Sequence, residues 1–320
     1  MNNIPDLEPR FLAPTGWKTD DFTNEDTNHR LHFGYASPEN DPPKGVIIVL
    51  QGLQEFSEKY YETAHFFLEH GYAITVLEWQ YQGRSGRFLP NPHKRHSDEF
   101  ETDIDDLKRF IEETIKPLFP DLPLHMLAHS TGGNIGLRYL IDYPNDFQTA
   151  AFSAPLIGIH GLTMYPNWLI MGLLKLFNLF PNAYVPGGSN WDERERNSDS
   201  VNGQDKFSSD PARSAMTNAW YRADPSLQGG SATMKWLLET YKSMAFLRNS
   251  ELTKEIKTPC LFGIAEKDTV VCSRVSRELA EKMPSAIILD LANSKHEVLV
   301  ETDDIRDLFL NSFLSLIKSQ

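Results

Sequence analysis

Ser130 sits in Ala128-His129-Ser130-Thr131-Gly132-Gly133, between a short apolar run and a longer amphipathic one. At a strand-to-helix turn of this kind a serine is held in strained backbone geometry with its hydroxyl exposed above the sheet, which suits a nucleophile. The residues two before and two after it must be small so that strand and helix can approach, and Ala128 and Gly132 meet that need. Taken alone, the stretch also fits an ordinary glycine-containing turn. A nucleophilic serine needs a base to take its proton and a carboxylate to orient that base. His296, in Ser294-Lys295-His296-Glu297, is the only histidine after His160 and is the candidate base. Asp268, in Ala265-Glu266-Lys267-Asp268, is the candidate acid, with Glu266 and Asp290 as competitors.

Acyl transfer through such a serine also needs donors for the developing oxyanion. One is the backbone N–H of Thr131, directly after Ser130. The other is expected from Gln51-Gly52-Leu53-Gln54-Glu55, where Gly52 lets the backbone bend sharply and Leu53 N–H is the natural donor. A plain strand-to-helix turn would read the same way at Gln51-Gly52. This chemistry calls for no metal and no organic cofactor.

These residues must be positioned by a framework, and the chain alternates short apolar runs with longer amphipathic ones, the pattern of a parallel sheet crossed by helices. Residues 46–50, 73–77, 124–128, 149–153, 259–264 and 286–291 read as strands. Residues 57–70, stopped by Gly71, and residues 98–115 and 131–141 read as helices. An antiparallel hairpin at the sheet edge is expected within residues 11–36. Ser130, Asp268 and His296 thus each fall just beyond a strand. The fold class is α/β, a mostly parallel central sheet flanked by helices.

Between residues 156 and 230 the alternation breaks, in a stretch that holds Pro166, Pro181, Pro186, Gly187, Gly188, Pro211 and Pro225 with Trp168, Trp191 and Trp220. A structureless loop of that length is implausible in a compact domain. The expected organisation is therefore a core from residues 1–155 and 231–320 with a helical lid inserted at 156–230, over the strand ends where open α/β sheets bind ligands. Residues 168–180 are apolar nearly all round if helical. Either they close the insertion's own small core, or Trp168, Leu173 and Phe177 line a channel for an acyl chain above Ser130.

Composition narrows the partners. The 320 residues carry 44 Asp plus Glu against 31 Lys plus Arg, a formal net charge of −13, so phosphate polyanions are repelled and nucleic acid is not an expected partner. The first six residues lack the basic and apolar segments of a secretory signal. The 168–180 run, interrupted by Gly172, Lys175 and Asn178, falls short of a bilayer span. Cys260 and Cys272 are too few for a disulfide framework or a zinc site. The expectation is a cytoplasmic protein with no stable membrane insertion and at most transient contact with a lipid surface. Nothing in the sequence sets an oligomeric state.

Beyond the turn at Ser130, the chain resembles the bacterial lysophospholipase and monoacylglycerol lipase branch of the α/β-hydrolases, which includes serine aminopeptidase-like proteins. The resemblance spans about residues 40–315 and is carried by the segments 51–61 and 78–87, by Ser153-Ala154-Pro155, Asp210-Pro211-Ala212-Arg213 and Lys295-His296-Glu297. It implies an α/β-hydrolase fold with the chain order serine, acid, histidine, hence Ser130, Asp268 and His296. Ala128 stands where glycine is usual, and Gln51 where many relatives place histidine. The implied activity is cleavage of a small-molecule acyl ester, of the lysophospholipid or monoacylglycerol type. An aminopeptidase-like peptidase would instead need carboxylates for a substrate ammonium, for which Asp192, Glu193 and Glu195 are candidates, interleaved with Arg194 and Arg196. A non-catalytic binding module on the same fold is the third reading.

Overall fold

The computed structural model describes residues 4–192 and 205–320. Eight strands form one sheet among the described residues: β1 (Lys18–Asn24), β2 (His29–Ala36), β3 (Val46–Leu50), β4 (Ala73–Leu77), β5 (Leu124–His129), β6 (Thr149–Ser153), β7 (Cys260–Ala265) and β8 (Ala286–Leu291). Their spatial order is β1-β2-β4-β3-β5-β6-β7-β8, and all neighbours from β4 onward are parallel. The hairpin expected at the edge is β1 with β2, antiparallel to each other, and β2 runs antiparallel to β4. It begins only at Lys18; ahead of it Pro9–Phe11 makes a single 3-10 turn that buries Phe11.

Every residue of β3, β4, β5, β6 and β7 is buried, in keeping with mostly apolar, charge-free runs in strands covered on both faces. The covering helices include α1 (Tyr61–Glu69), α2 (Phe100–Phe110) and α3 (Thr131–Asp142). Ser57–Tyr60 enters α1 as a 3-10 turn, and the chain leaves the helix through Gly71 at φ 86°. Helix α2 continues through a wider turn, Ile111–Ile115, and a last turn, Lys116–Leu118, further than its apolar spacing suggests. Pro117 has no N–H to close a regular turn there, which accounts for the widening.

After β6 come α4 (Asn167–Phe177), α5 (Pro211–Ala223) and α6 (Met234–Asn249), then α7 (Ser273–Ala280) and α8 (Asp303–Lys318) in the last strand–helix units. Asp210 starts α5 by accepting from the N–H groups of Ala212 and Arg213, with Pro211 pre-set at the first helical position. The buried Arg213 guanidinium donates to Glu62, to Asp303 and to the Glu301 carbonyl. Met216, Trp220 and Tyr221 pack with Phe11, Phe56 and Tyr61 in a second apolar cluster. Helix α5 is thereby clasped to the core, whereas α4 buries only Ile170 and Leu174, one turn apart, and packs on α6. No described helix is long and apolar enough to cross a membrane.

Candidate active site

Ser130 is the hinge between β5 and α3, at φ 50° and ψ −112°, a backbone region that a residue with a Cβ occupies only when its surroundings hold it there. They do so by hydrogen bonds: Ser130 N–H donates to the Ser153 carbonyl at 3.1 Å, and the Ser130 carbonyl accepts from Leu156 N–H at 2.9 Å and Asn134 N–H at 3.2 Å. A Cβ on Gly132 would run into the Leu50 and Gln51 carbonyls, so α3 reaches β3 this closely only because position 132 is glycine. Ala128, opposite Leu50 in the parallel register, is fully buried and its single methyl is accommodated.

The ends of β7 and β8 supply the other two groups. His296 Nε2 lies 3.0 Å from Ser130 Oγ, and His296 Nδ1 lies 2.7 Å from Asp268 Oδ2. The second Asp268 oxygen accepts from Val270 N–H at 2.7 Å and Val271 N–H at 2.9 Å, which leaves the carboxylate one orientation. All three side chains are buried. The competing acids are engaged elsewhere: the exposed Glu266 accepts from Asn293 N–H, and the exposed Asp290 pairs with Arg277. This arrangement can move a proton from the Ser130 hydroxyl to an imidazole whose tautomer is set from behind.

The loop after β3 is held backbone atom by backbone atom. Trp79 Nε1 donates to the Gln51 carbonyl at 2.9 Å, Gln82 Nε2 to the Gly52 carbonyl at 3.0 Å, and Gly52 N–H to the Glu55 carboxylate at 2.5 Å. Glu55 in turn accepts from Lys59 Nζ and the Tyr60 hydroxyl, each at 2.5 Å. Burial pushes the Glu55 carboxyl up, but the Lys59 charge and the hydrogen bonds from Lys59 and Tyr60 are among the opposing influences that together bring the group down to about 2. Leu53 N–H has no hydrogen-bond partner among the described residues, and Thr131 N–H is the first of α3, where the helix itself offers no acceptor. Leu53, Thr131, Ser130 and His296 border one cavity. His129 lies alongside, its ring centroid 4.9 Å from that of His296, and burial pushes its pKa down to about 4, so it is neutral at pH 7.

That cavity has a volume of about 490 Å³, and Leu156, Ile159, Phe207, Trp236 and Val270 give it apolar walls. Trp168, Leu173 and Phe177 do not line it, contrary to the acyl-channel expectation, and they do not close a small core either. Ile170 and Leu174 are the buried residues of α4, which packs on α6, while Trp168 is left 75%, Leu173 43% and Phe177 50% exposed. Apolar character all round concealed which face would find a partner. Asp192 is absent from the cavity lining, and Glu193, Arg194, Glu195 and Arg196 lie outside the described residues.

Sequence reasoning missed the ion pairs around Lys59, whose Nζ lies 2.7 Å from Glu297 Oε1 as well as against Glu55. The i,i+4 spacing of Glu55 and Lys59 was a local signal, but the contact to Glu297 spans most of the chain. Phe207 and Ile159 were equally invisible as lining residues, because no regular pattern marks them.

Comparison with known proteins gives a consistent picture. The family model described as serine aminopeptidase, S33, matches residues 41–303. A probable lysophospholipase L2 of Haemophilus influenzae is 28% identical over 287 residues, covering 89% of this chain and 87% of that protein. Lysophospholipase L2 of Escherichia coli is 26% identical over 279 residues, 84% of this chain and 79% of the relative. Among solved structures, a soluble variant of monoglyceride lipase from Saccharomyces cerevisiae, in complex with a substrate analog, superposes with a TM-score of 0.73 at 17% identity over 99% of this chain and 96% of that one.

Proposed function

The chain belongs to the serine aminopeptidase S33 family, and from that premise we propose a serine hydrolase cleaving carboxylic esters of single-chain lipids, of the lysophospholipid or monoacylglycerol type. One observation carries the reading: Ser130, His296 and Asp268 share a line of hydrogen bonds beside a cavity with apolar walls. Ser130 Oγ attacks the ester carbonyl carbon while its proton passes to His296 Nε2. Asp268 accepts a hydrogen bond from the His296 Nδ1–H, so that proton stays on the ring, and its charge balances the imidazolium. The N–H groups of Leu53 and Thr131 hold the oxyanion. The imidazolium protonates the departing alcohol, leaving the acyl group on Ser130; a water activated by His296 then releases it as the fatty acid.

The substrate class follows from the walls and from the relatives' names. Leu156, Ile159, Phe207 and Trp236 offer an acyl chain apolar surface worth up to ~0.8 kcal/mol per methylene buried. We read residues 156–230 as a lid, on the support that Ile159, Phe207 and Thr217 border the same cavity as Ser130. The exposed apolar residues of α4 suit transient contact with lipid, while a net charge of −13 disfavours adsorption to anionic bilayers. A cytoplasmic location is in keeping with Cys260 and Cys272 as free thiols.

A peptidase would need a carboxylate open to a substrate ammonium. Among the described residues two carboxylates line the cavity, Glu55 and Glu297, and both bind Lys59. The test is labelling by a fluorophosphonate together with turnover of monoacylglycerols, lysophospholipids, short aryl esters and aminoacyl amides. Labelling and lipid-ester turnover lost in Ser130→Ala, with the fold retained, is the expected result. An unlabelled wild-type protein would leave a binding module, and preference for aminoacyl amides would leave a peptidase.

A further inference from the structure

We infer that Lys59 is a positioning residue that locks the oxyanion loop to the loop carrying His296; the inference rests on the serine hydrolase reading above. Its ammonium is almost fully enclosed and bound from two sides. On one side Glu55 Oε1 accepts at 2.5 Å, while Glu55 Oε2 accepts the Gly52 N–H at 2.5 Å and the Tyr60 hydroxyl. On the other side Glu297 Oε1 lies at 2.7 Å, and Glu297 is the chain neighbour of His296.

The two segments so joined have no regular structure to align them. Gln51–Glu55 is a loop with Gln54 at φ 61°, and His296 precedes only a short 3-10 turn, Val298–Val300. Because the Glu55 carboxylate takes up the Gly52 N–H, the bend at Gly52 is set and the next N–H, that of Leu53, is left for the cavity. Glu55 can hold that bend as a carboxylate only while Lys59 neutralises it, since a lone buried charge is unstable. Lys59 donates to Glu297 at the same time, so the distance from the oxyanion donor to the base is fixed through three side chains rather than through the backbone. His129 fills the remaining gap: a Cβ on Gly52 would stand 2.8 Å from its ring, and its Nδ1 is held by Ser153. Being neutral, that ring brings no second positive charge beside His296.

The effect belongs to the tetrahedral state. An oxyanion donor displaced by a fraction of an ångström loses little in binding the ester and much in binding the oxyanion. The experiment compares wild type, Lys59→Met, Lys59→Arg and Glu297→Gln, each titrated first with a fluorophosphonate so that rates refer to competent Ser130. Three quantities are measured: kcat and KM on one soluble ester; the affinity of an alkyl trifluoromethyl ketone, which adds Ser130 Oγ across its carbonyl and forms an oxyanion; and the affinity of a non-reactive ether of equal chain length. For Lys59→Met, kcat should fall about tenfold to a hundredfold with KM and ether affinity within about twofold, and trifluoromethyl ketone affinity should fall by the same factor as kcat/KM. Lys59→Arg should recover most of the loss, and Glu297→Gln should show a smaller loss of the same pattern. Wild-type kcat and ketone affinity in Lys59→Met, or equal losses for ketone and ether, would overturn the inference. Should Lys59→Met fail to fold, Glu297→Gln decides by the same criteria. A wild-type protein that takes up no fluorophosphonate would instead sink the hydrolase reading itself.

Discussion

His296 Nε2 stands 3.0 Å from Ser130 Oγ although 166 residues of chain separate them. Parallel strands make this proximity: β5 and β8 point the same way in one sheet, so the loops after them emerge at one end. Everything proposed for the site depends on loops at that end.

Asp268 is bound by His296 on one oxygen and by two N–H groups on the other. Asp268→Asn presents an amide that can turn its NH₂ toward His296 and favour the wrong tautomer. Turnover should fall on the order of a thousandfold or more. Glu266→Gln and Asp290→Asn, which alter surface contacts, should stay within about threefold. Steady-state rates of the three purified variants decide, and the reverse ranking would move the acid.

Gly132→Ala should be more damaging than an extra methyl usually is. Its Cβ meets the Leu50 and Gln51 carbonyls, backbone atoms that cannot rotate away. The strand, the loop that follows it or the helix must shift, for a cost of about 2 kcal/mol or more. Thermal melts should show the loss, and activity should drop further than stability alone explains.

The chain-length preference can be separated from lipid contact. With monoacyl esters below their micellar concentrations, kcat/KM should rise up to about fourfold per added methylene through the medium-chain range. Ile159→Asp, in the cavity wall, should flatten that rise. Phe177→Asp, at a half-exposed position in the last turn of α4, should leave it unchanged and lower the rate only on micelles or vesicles. A flat wild-type series would point to a small polar ester.

Acid stability offers an independent check on the core. Burial holds the His125 imidazole at about 4 against an unfolded value near 6.5. The unfolded chain therefore takes up a proton first as the pH falls, so the stability present above pH 6.5 is progressively lost between 6.5 and 4. His125→Asn can keep a bond to the Thr149 hydroxyl, which lies 2.9 Å from His125 Nδ1, without that titration. The stability of wild type relative to the variant should drop by up to about 3 kcal/mol across this window. Denaturant melts at pH 7, 5.5 and 4 measure it, and a constant difference would contradict a neutral buried imidazole.

Local chemistry made much of this protein readable from sequence alone. The buried strands are short, mostly apolar runs without charged residues, helix α1 stops at a glycine, and Ser130 sits between a strand and a helix with small residues around it, because each is a constraint acting within a few residues. Asp268 and His296 were legible for a related reason: each follows a strand, and a parallel sheet gathers such loops at one end. What reaches across the chain was not legible. Lys59 shows its partner Glu55 through helical spacing but gives no hint of Glu297, and a helix apolar on every side says nothing of which side will be covered. Pairing and exposure depend on what the remaining chain places opposite, so only the tertiary structure decided that Lys59 joins two loops and that Trp168, Leu173 and Phe177 face outward rather than into the cavity.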